Sequence, residues 1–149
     1  MRSVYNLRSS MLAVSAVAIA LFAQPVVAQQ SYKIGAMLDV TGGASFLGKP
    51  EHNAVTLAVE EANQTGGIRG NKVELVFEDS KSTETDTVLA ARKLINQAKV
   101  LAIVGPSRTG GAMAAIPIVT EAEVALLCPV SGVGVIEPVA ERKWVFRPG

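Results

Sequence analysis

Three consecutive side chains, Ser107, Arg108 and Thr109, carry the clearest chemistry in this chain. Two hydroxyls and a guanidinium stand between Gly105-Pro106 and Gly110-Gly111, and an apolar stretch rich in Ala, Ile and Met follows. Glycine lets backbone approach another group closely, and the apolar stretch reads as a helix whose first N–H groups lack intrahelical partners. Free N–H groups, the positive end of a helix dipole and adjacent hydroxyls suit a carboxylate or phosphate. Residues for catalysis do not accompany them. His52 is the single histidine and Cys128 the single cysteine, which argues against a zinc site, and no Ser/His/Asp or paired-carboxylate constellation is visible. The residues describe a binder of a small anion, with no cofactor, no metal and no enzymatic step.

The elements around this triplet must deliver it to an edge. Residues 101–104 are continuously apolar, as in a strand buried on both faces of a parallel sheet, and Gly105-Pro106 ends them. Residues 32–40 read as a first strand leading into a glycine-rich loop, 41–48, with Pro50 in the first turn of the next helix. Ala54, Val55, Leu57, Ala58, Val59 and Ala62 recur at helical spacing until Gly66-Gly67 stop the helix. Residues 72–77 alternate as a second strand. Ser82 or Thr83 caps a second helix, with Asp86 three after Thr83 for a capping box and Val88, Leu89, Ala91, Leu94 and Ile95 on its buried face. The third helix spans 109–122, with Pro117 set to kink it or end its regular part. A fourth strand at 124–127, a short helix at 133–140 and a fifth strand at 144–146 complete the order. Strand and helix alternate throughout, which predicts an α/β fold: an open parallel sheet with helices on both faces. Ligands of such sheets bind outside the carboxyl ends of the strands, here the loops 41–48, 79–82, 105–110 and 129–134.

One motif misleads. Residues 43–49 match most of a phosphate-binding P-loop and follow a strand. The next residue should carry a magnesium-binding hydroxyl, and it is Pro50, so nucleotide hydrolysis is set aside.

Residues 1–28 resemble a secretory signal, with Arg2 and Arg8 before an apolar run at 11–23 and the small-residue site Val26-Val27-Ala28. The run is shorter than the roughly 20 residues that span a bilayer. Cleavage after Ala28 would leave 121 residues with 12 basic and 13 acidic side chains. That size fits one domain, and that balance offers no footprint for nucleic acid. A lone cysteine cannot form an internal disulfide, and Cys128, at the end of an apolar run, reads as a buried small hydrophobe.

The segments KIGAMLDVTGGASFLGK, AVTLAVEEANQTGGIRGNKVELVFEDSK, AARKLI, AIVGPSRTGG and VFRPG are similar to the periplasmic substrate-binding proteins of branched-chain amino acid ABC transporters. The similarity runs from Tyr32 to Arg147. It implies the type I periplasmic binding fold, with two α/β lobes closing on a ligand, and a chain that holds the N-terminal lobe (29–149) without the second. It also implies an exported, periplasmic protein that captures an amino acid or similar small carboxylate for an ABC permease in the inner membrane. Carried over by position, the carboxylate falls to Thr109, with Ser107 and Arg108 adjacent, and to Val130, Ser131 and Gly132. Leu47, beside Phe46, would cover the ligand's apolar part. A disulfide found in some members would fall near Lys81 and Arg108 and cannot form here. Arg108 is free to reach a second acid on the ligand, to point to solvent or to pair with a nearby acid such as Asp79. The open stretch Gly132-Val133-Gly134 departs from the hydroxyl-rich one common in the family, which leaves room for a carboxylate other than leucine, isoleucine or valine. A ligand-sensing module of the same fold, signalling to a partner protein, is the alternative role.

Overall fold

The computed structural model describes residues 31–148; the segment expected to be a secretory signal, with its expected cleavage site, lies outside the described residues. The chain runs β1 (Ser31–Leu38), α1 (Ser45–Gln64), β2 (Lys72–Asp79), α2 (Glu84–Lys93), β3 (Ala102–Val104), α3 (Thr109–Glu121), β4 (Ala125–Leu127) and β5 (Val145–Phe146). A π-helical turn, Leu94–Ala98, extends α2. The five strands form one sheet in the order β2-β1-β3-β4-β5, and every pairing is parallel. Right-handed crossovers place α1 on one face and α2 with α3 on the other, because the chain reverses direction across the sheet after β2.

The register aligns two rows of side chains across all five strands. Val76, Gly35, Ile103, Leu126 and Val145 form one row, beneath α2 and α3. Ile103, Leu126 and Val145 are buried in a single core with Ala90, Ala91 and Leu94 of the second helix and Ala112, Ala115, Ile116 and Val119 of the third. The opposite row is Phe77, Ala36, Val104, Leu127 and Phe146. It is covered where α1 lies on β1 and β2 and opens toward the far edge, where Leu127 is 43% and Phe146 51% exposed.

The helix boundaries follow local chemistry. Thr83 caps α2: its hydroxyl oxygen accepts the Asp86 N–H at 3.0 Å and its proton goes to the Asp86 carboxylate at 2.8 Å. After α1, the Gly67 N–H returns to the Ala62 carbonyl at 2.8 Å, with Gly66 at φ 99°, where glycine is unstrained.

Three expectations change. The first helix starts at Ser45 rather than at Pro50, because Gly48 lies flat on the end of β1; a Cβ there would strike the Asp39 backbone. Pro50 is carried inside α1 at the cost of one hydrogen bond, and Pro117 is likewise carried inside an unbroken α3. The stretch 133–140 forms two separate 3-10 turns, Val133–Val135 and Val139–Glu141, since Pro138 cannot donate into a continuous helix. Finally, Leu57 and Leu89 are 55% and 52% exposed, and Thr87 takes the buried position on α2. Its hydroxyl donates to the Thr83 carbonyl at 2.7 Å, so burying it leaves no polar group unsatisfied.

Candidate functional site

The sheet order reverses between β1 and β3, which lie side by side although β2 and α2 separate them in sequence. Loops leaving this switch point splay apart and open a crevice. Gly105, at φ 110°, packs against the Met37 carbonyl, too close for any Cβ, so glycine brings the turn after β3 down onto β1.

Asp39, one residue past β1, ties the crevice floor together. It is 1% exposed. Its carboxylate accepts the Arg108 Nε–H at 2.7 Å and a short hydrogen bond from Ser80; its own N–H donates to the Ser107 hydroxyl oxygen at 3.1 Å. Arg108 therefore pairs with Asp39, not Asp79. Asp79 is taken by Thr41, whose hydroxyl donates to it at 2.6 Å. Burial pushes the Asp79 carboxyl up, but hydrogen bonds from Thr41 and from the Lys81 and Val40 backbone outweigh it and hold the group below the ordinary range. Ser82 completes the weave: its hydroxyl donates to the Thr41 carbonyl at 2.8 Å and accepts the Ala44 N–H at 2.9 Å.

Above this floor lies a cleft of about 370 Å³, lined by Leu47, Glu51, Ser107, Arg108, Thr109, Pro129, Val130 and Ser131. The volume falls within the roughly 300–1,000 Å³ of small-molecule sites. Six of the seven expected residues meet on it. The seventh, Gly132, sits against Thr109: a Cβ there would come within 2.5 Å of Thr109 Cγ2. The Ser131 carbonyl accepts the Arg147 Nη1–H at 2.6 Å, which fixes the loop after β4. No side chain caps the N-terminus of α3, so the first-turn N–H groups beside Thr109 are open to an acceptor. Leu47 supplies the apolar side of the cleft. Cys128 plays no part; it is fully buried, and burial pushes its thiol up to about 12.

Sequence reasoning missed Glu51 and Asp39. Leu47 and Glu51 are four residues apart in α1, which places them on one helix face; with the helix begun at Pro50, that relation is invisible. Burial raises the Glu51 carboxyl above its ordinary value, the Ser107 hydroxyl acts to lower it, and the nearby Asp39 charge raises it further. Its Oε2 is buried and accepts no hydrogen bond. A larger groove, about 440 Å³, follows the β2–α2 edge. Two of its cations are paired there, Lys93 with Glu78 at 3.1 Å and Lys81 with Asp86 at 3.3 Å, and Arg92 lines it as well.

The fold is an open parallel α/β sheet with a cleft at its switch point. The chain belongs to the periplasmic binding protein family, whose profile matches residues 31–149. It is 33% identical over 96 residues to Leu/Ile/Val-binding protein homolog 7 of Brucella suis, covering 64% of this chain and 24% of that protein. With the Leu/Ile/Val-binding protein BraC3 of Rhizobium johnstonii it shares 30% over 115 residues, 77% of this chain and 31% of the relative. Among solved structures it resembles the branched-chain amino acid transporter substrate binding protein LivJ of Streptococcus pneumoniae, in complex with isoleucine. The TM-score is 0.75 at 32% identity, covering 79% of this chain and 33% of that one. A solute binding protein of an ABC transporter from Rhodopseudomonas palustris, in complex with 3,4-dihydroxy benzoic acid, superimposes with TM-score 0.69 at 28% identity, over 78% and 31%. The chain thus spans 24% to 33% of the length of these relatives.

Proposed function

We propose that this chain is the N-terminal lobe of an exported solute-binding protein that captures an amino acid or similar small carboxylate in the periplasm and presents it to an ABC permease. The observation that carries the reading is the uncapped start of α3, with the Thr109 hydroxyl, facing the loop of Val130, Ser131 and Gly132 across one cleft. A hydroxyl and backbone N–H groups satisfy a carboxylate, and Leu47 receives the apolar part of the ligand. Nothing in this chemistry makes or breaks a bond. Binding energy shifts the protein toward a closed form, which the permease recognises. The relatives named for Leu, Ile and Val support an amino acid, and the neighbour holding 3,4-dihydroxy benzoic acid supports the wider class of small carboxylates.

The test is Thr109→Ala in the full-length gene product, measured by calorimetry against a panel of amino acids and aromatic acids. Loss of a charge-assisted hydrogen bond, about 1.5–3 kcal/mol, predicts a drop of at least tenfold in affinity for the carboxylate that binds best. Unchanged affinity for every carboxylate would sink the assignment.

A further inference from the structure

Two carboxylates border the cleft, and only one is saturated. Asp39 is occupied by Arg108 and Ser80. Glu51 lines the cleft itself, and its Oε2 has no partner. Arg108, the one basic side chain on the cleft wall, gives its Nε–H to Asp39 while its Nη2 is buried without a partner; one guanidinium faces two acids, Asp39 and Glu51, so the wall carries one acid in excess. A site with a surplus acid does not suit a simple carboxylate, whose charge Glu51 would repel. It suits a ligand with two ends, an acceptor end for Thr109 and the α3 N-terminus and a donor end for Glu51.

Ser107 has a corresponding place. Its oxygen already accepts the Asp39 N–H, and it lines the cleft together with Glu51, whose carboxyl it acts to lower. A serine has one proton to give, which leaves the Ser107 proton available to the Glu51 carboxylate.

We infer that Glu51 is a specificity-determining residue that accepts a hydrogen bond from an N–H or O–H donor on the ligand, with Ser107 as its positioning residue, so that the cleft selects carboxylates bearing such a donor over donor-free carboxylates of the same shape. This rests on the carboxylate-capture reading above. It also divides the site into an acceptor-binding half built by α3 and a donor-binding half built by α1. A buried acceptor with no partner is costly to leave unmet, and rejection of an analogue that lacks the matching group follows from that penalty.

The test uses the full-length gene product and two matched probe pairs: L-leucine with 4-methylpentanoate, and 3,4-dihydroxybenzoate with benzoate. Calorimetry gives the affinity ratio within each pair for wild type, Glu51→Gln and Ser107→Ala, with thermal unfolding to establish that the variants are folded. The expected result is that wild type prefers the donor-bearing member of at least one pair. Glu51→Gln should reduce that ratio at least tenfold, with the donor-bearing member weakened and the donor-free member, no longer repelled by the Glu51 charge, bound as well as before or better. Ser107→Ala should reduce it by a smaller factor. An unchanged ratio in folded Glu51→Gln overturns the role of Glu51, as does a ratio that falls only because the donor-free member binds more tightly. Failure of wild type to bind any of the four probes overturns carboxylate capture itself, and this role with it.

Discussion

The two faces of the sheet are made from neighbouring residues of the same strands, yet they end in different environments. On the α2–α3 side, Ile103, Leu126 and Val145 are sealed; one residue along, Val104, Leu127 and Phe146 form a row that grades from half-buried to exposed. Composition does not separate the rows, since both are apolar. The difference lies in crossover geometry: one helix, α1, serves one face over β1 and β2, while α2 and α3 share the other and pack on each other. An apolar residue in a strand thus identifies the strand but not which of its faces finds a cover.

The sharpest test of that contrast is a pair of adjacent substitutions in β4. Leu126→Ala removes a fully buried side chain and should cost about 3–4 kcal/mol, as large-to-small core changes do. Leu127→Ala, on the open face, should cost less than about 1 kcal/mol in the same urea titration. Equal costs would mean that the open face is covered after all. A smaller effect is expected at Gly35 in β1. An added Cβ would meet Leu94, Val100 and Ile103 at 3.1–3.3 Å, so Gly35→Ala should overpack the sealed face and destabilise by about 1–3 kcal/mol. A neutral result would show that this face has slack.

The smallest effect belongs to the cleft end, where both faces give way to loops. Glu51 has its carboxyl raised above 4.5 in the folded chain by burial and by Asp39, against the lowering effect of Ser107. A raised acid contributes stability that is present below the unfolded value and is lost as pH rises through the folded one. Glu51→Gln should therefore match wild type below about pH 4 and unfold at a slightly higher denaturant concentration at pH 7. The opposite sign at pH 7 would mean that the Glu51 charge is well compensated in the ligand-free protein.

Much of this was readable in the chain and some was not, for identifiable reasons. Alternating strand and helix patterns predicted the parallel α/β fold, and the Thr83–Asp86 cap is where spacing placed it. The cleft residues Ser107, Arg108, Thr109, Val130 and Ser131 converge as expected, because loops at one end of a parallel sheet must gather there. Strand order was not readable, since a buried strand shows the same pattern wherever it sits. Without it, the contact of Arg108 with Asp39, 69 positions away, could not be distinguished from one with Asp79. Glu51 was hidden by a helix start that glycine disguised as a loop. The Thr87 position was hidden because a hydroxyl satisfied by its own helix is as easy to bury as a methyl.

The Asp39 knot has a consequence for the entropy of binding. Its backbone and carboxylate tether the turns after β2 and β3 to the end of β1 through Ser80, Ser107 and Arg108. Segments cross-linked in this way have little conformational freedom left to lose when a ligand arrives. On the proposed reading, this wall of the cleft is preorganised, and the free energy of capture goes to reposition the part of the protein that closes against it. Slow amide hydrogen exchange at Asp39 in the ligand-free protein, little altered on adding ligand, is the signature such a template leaves.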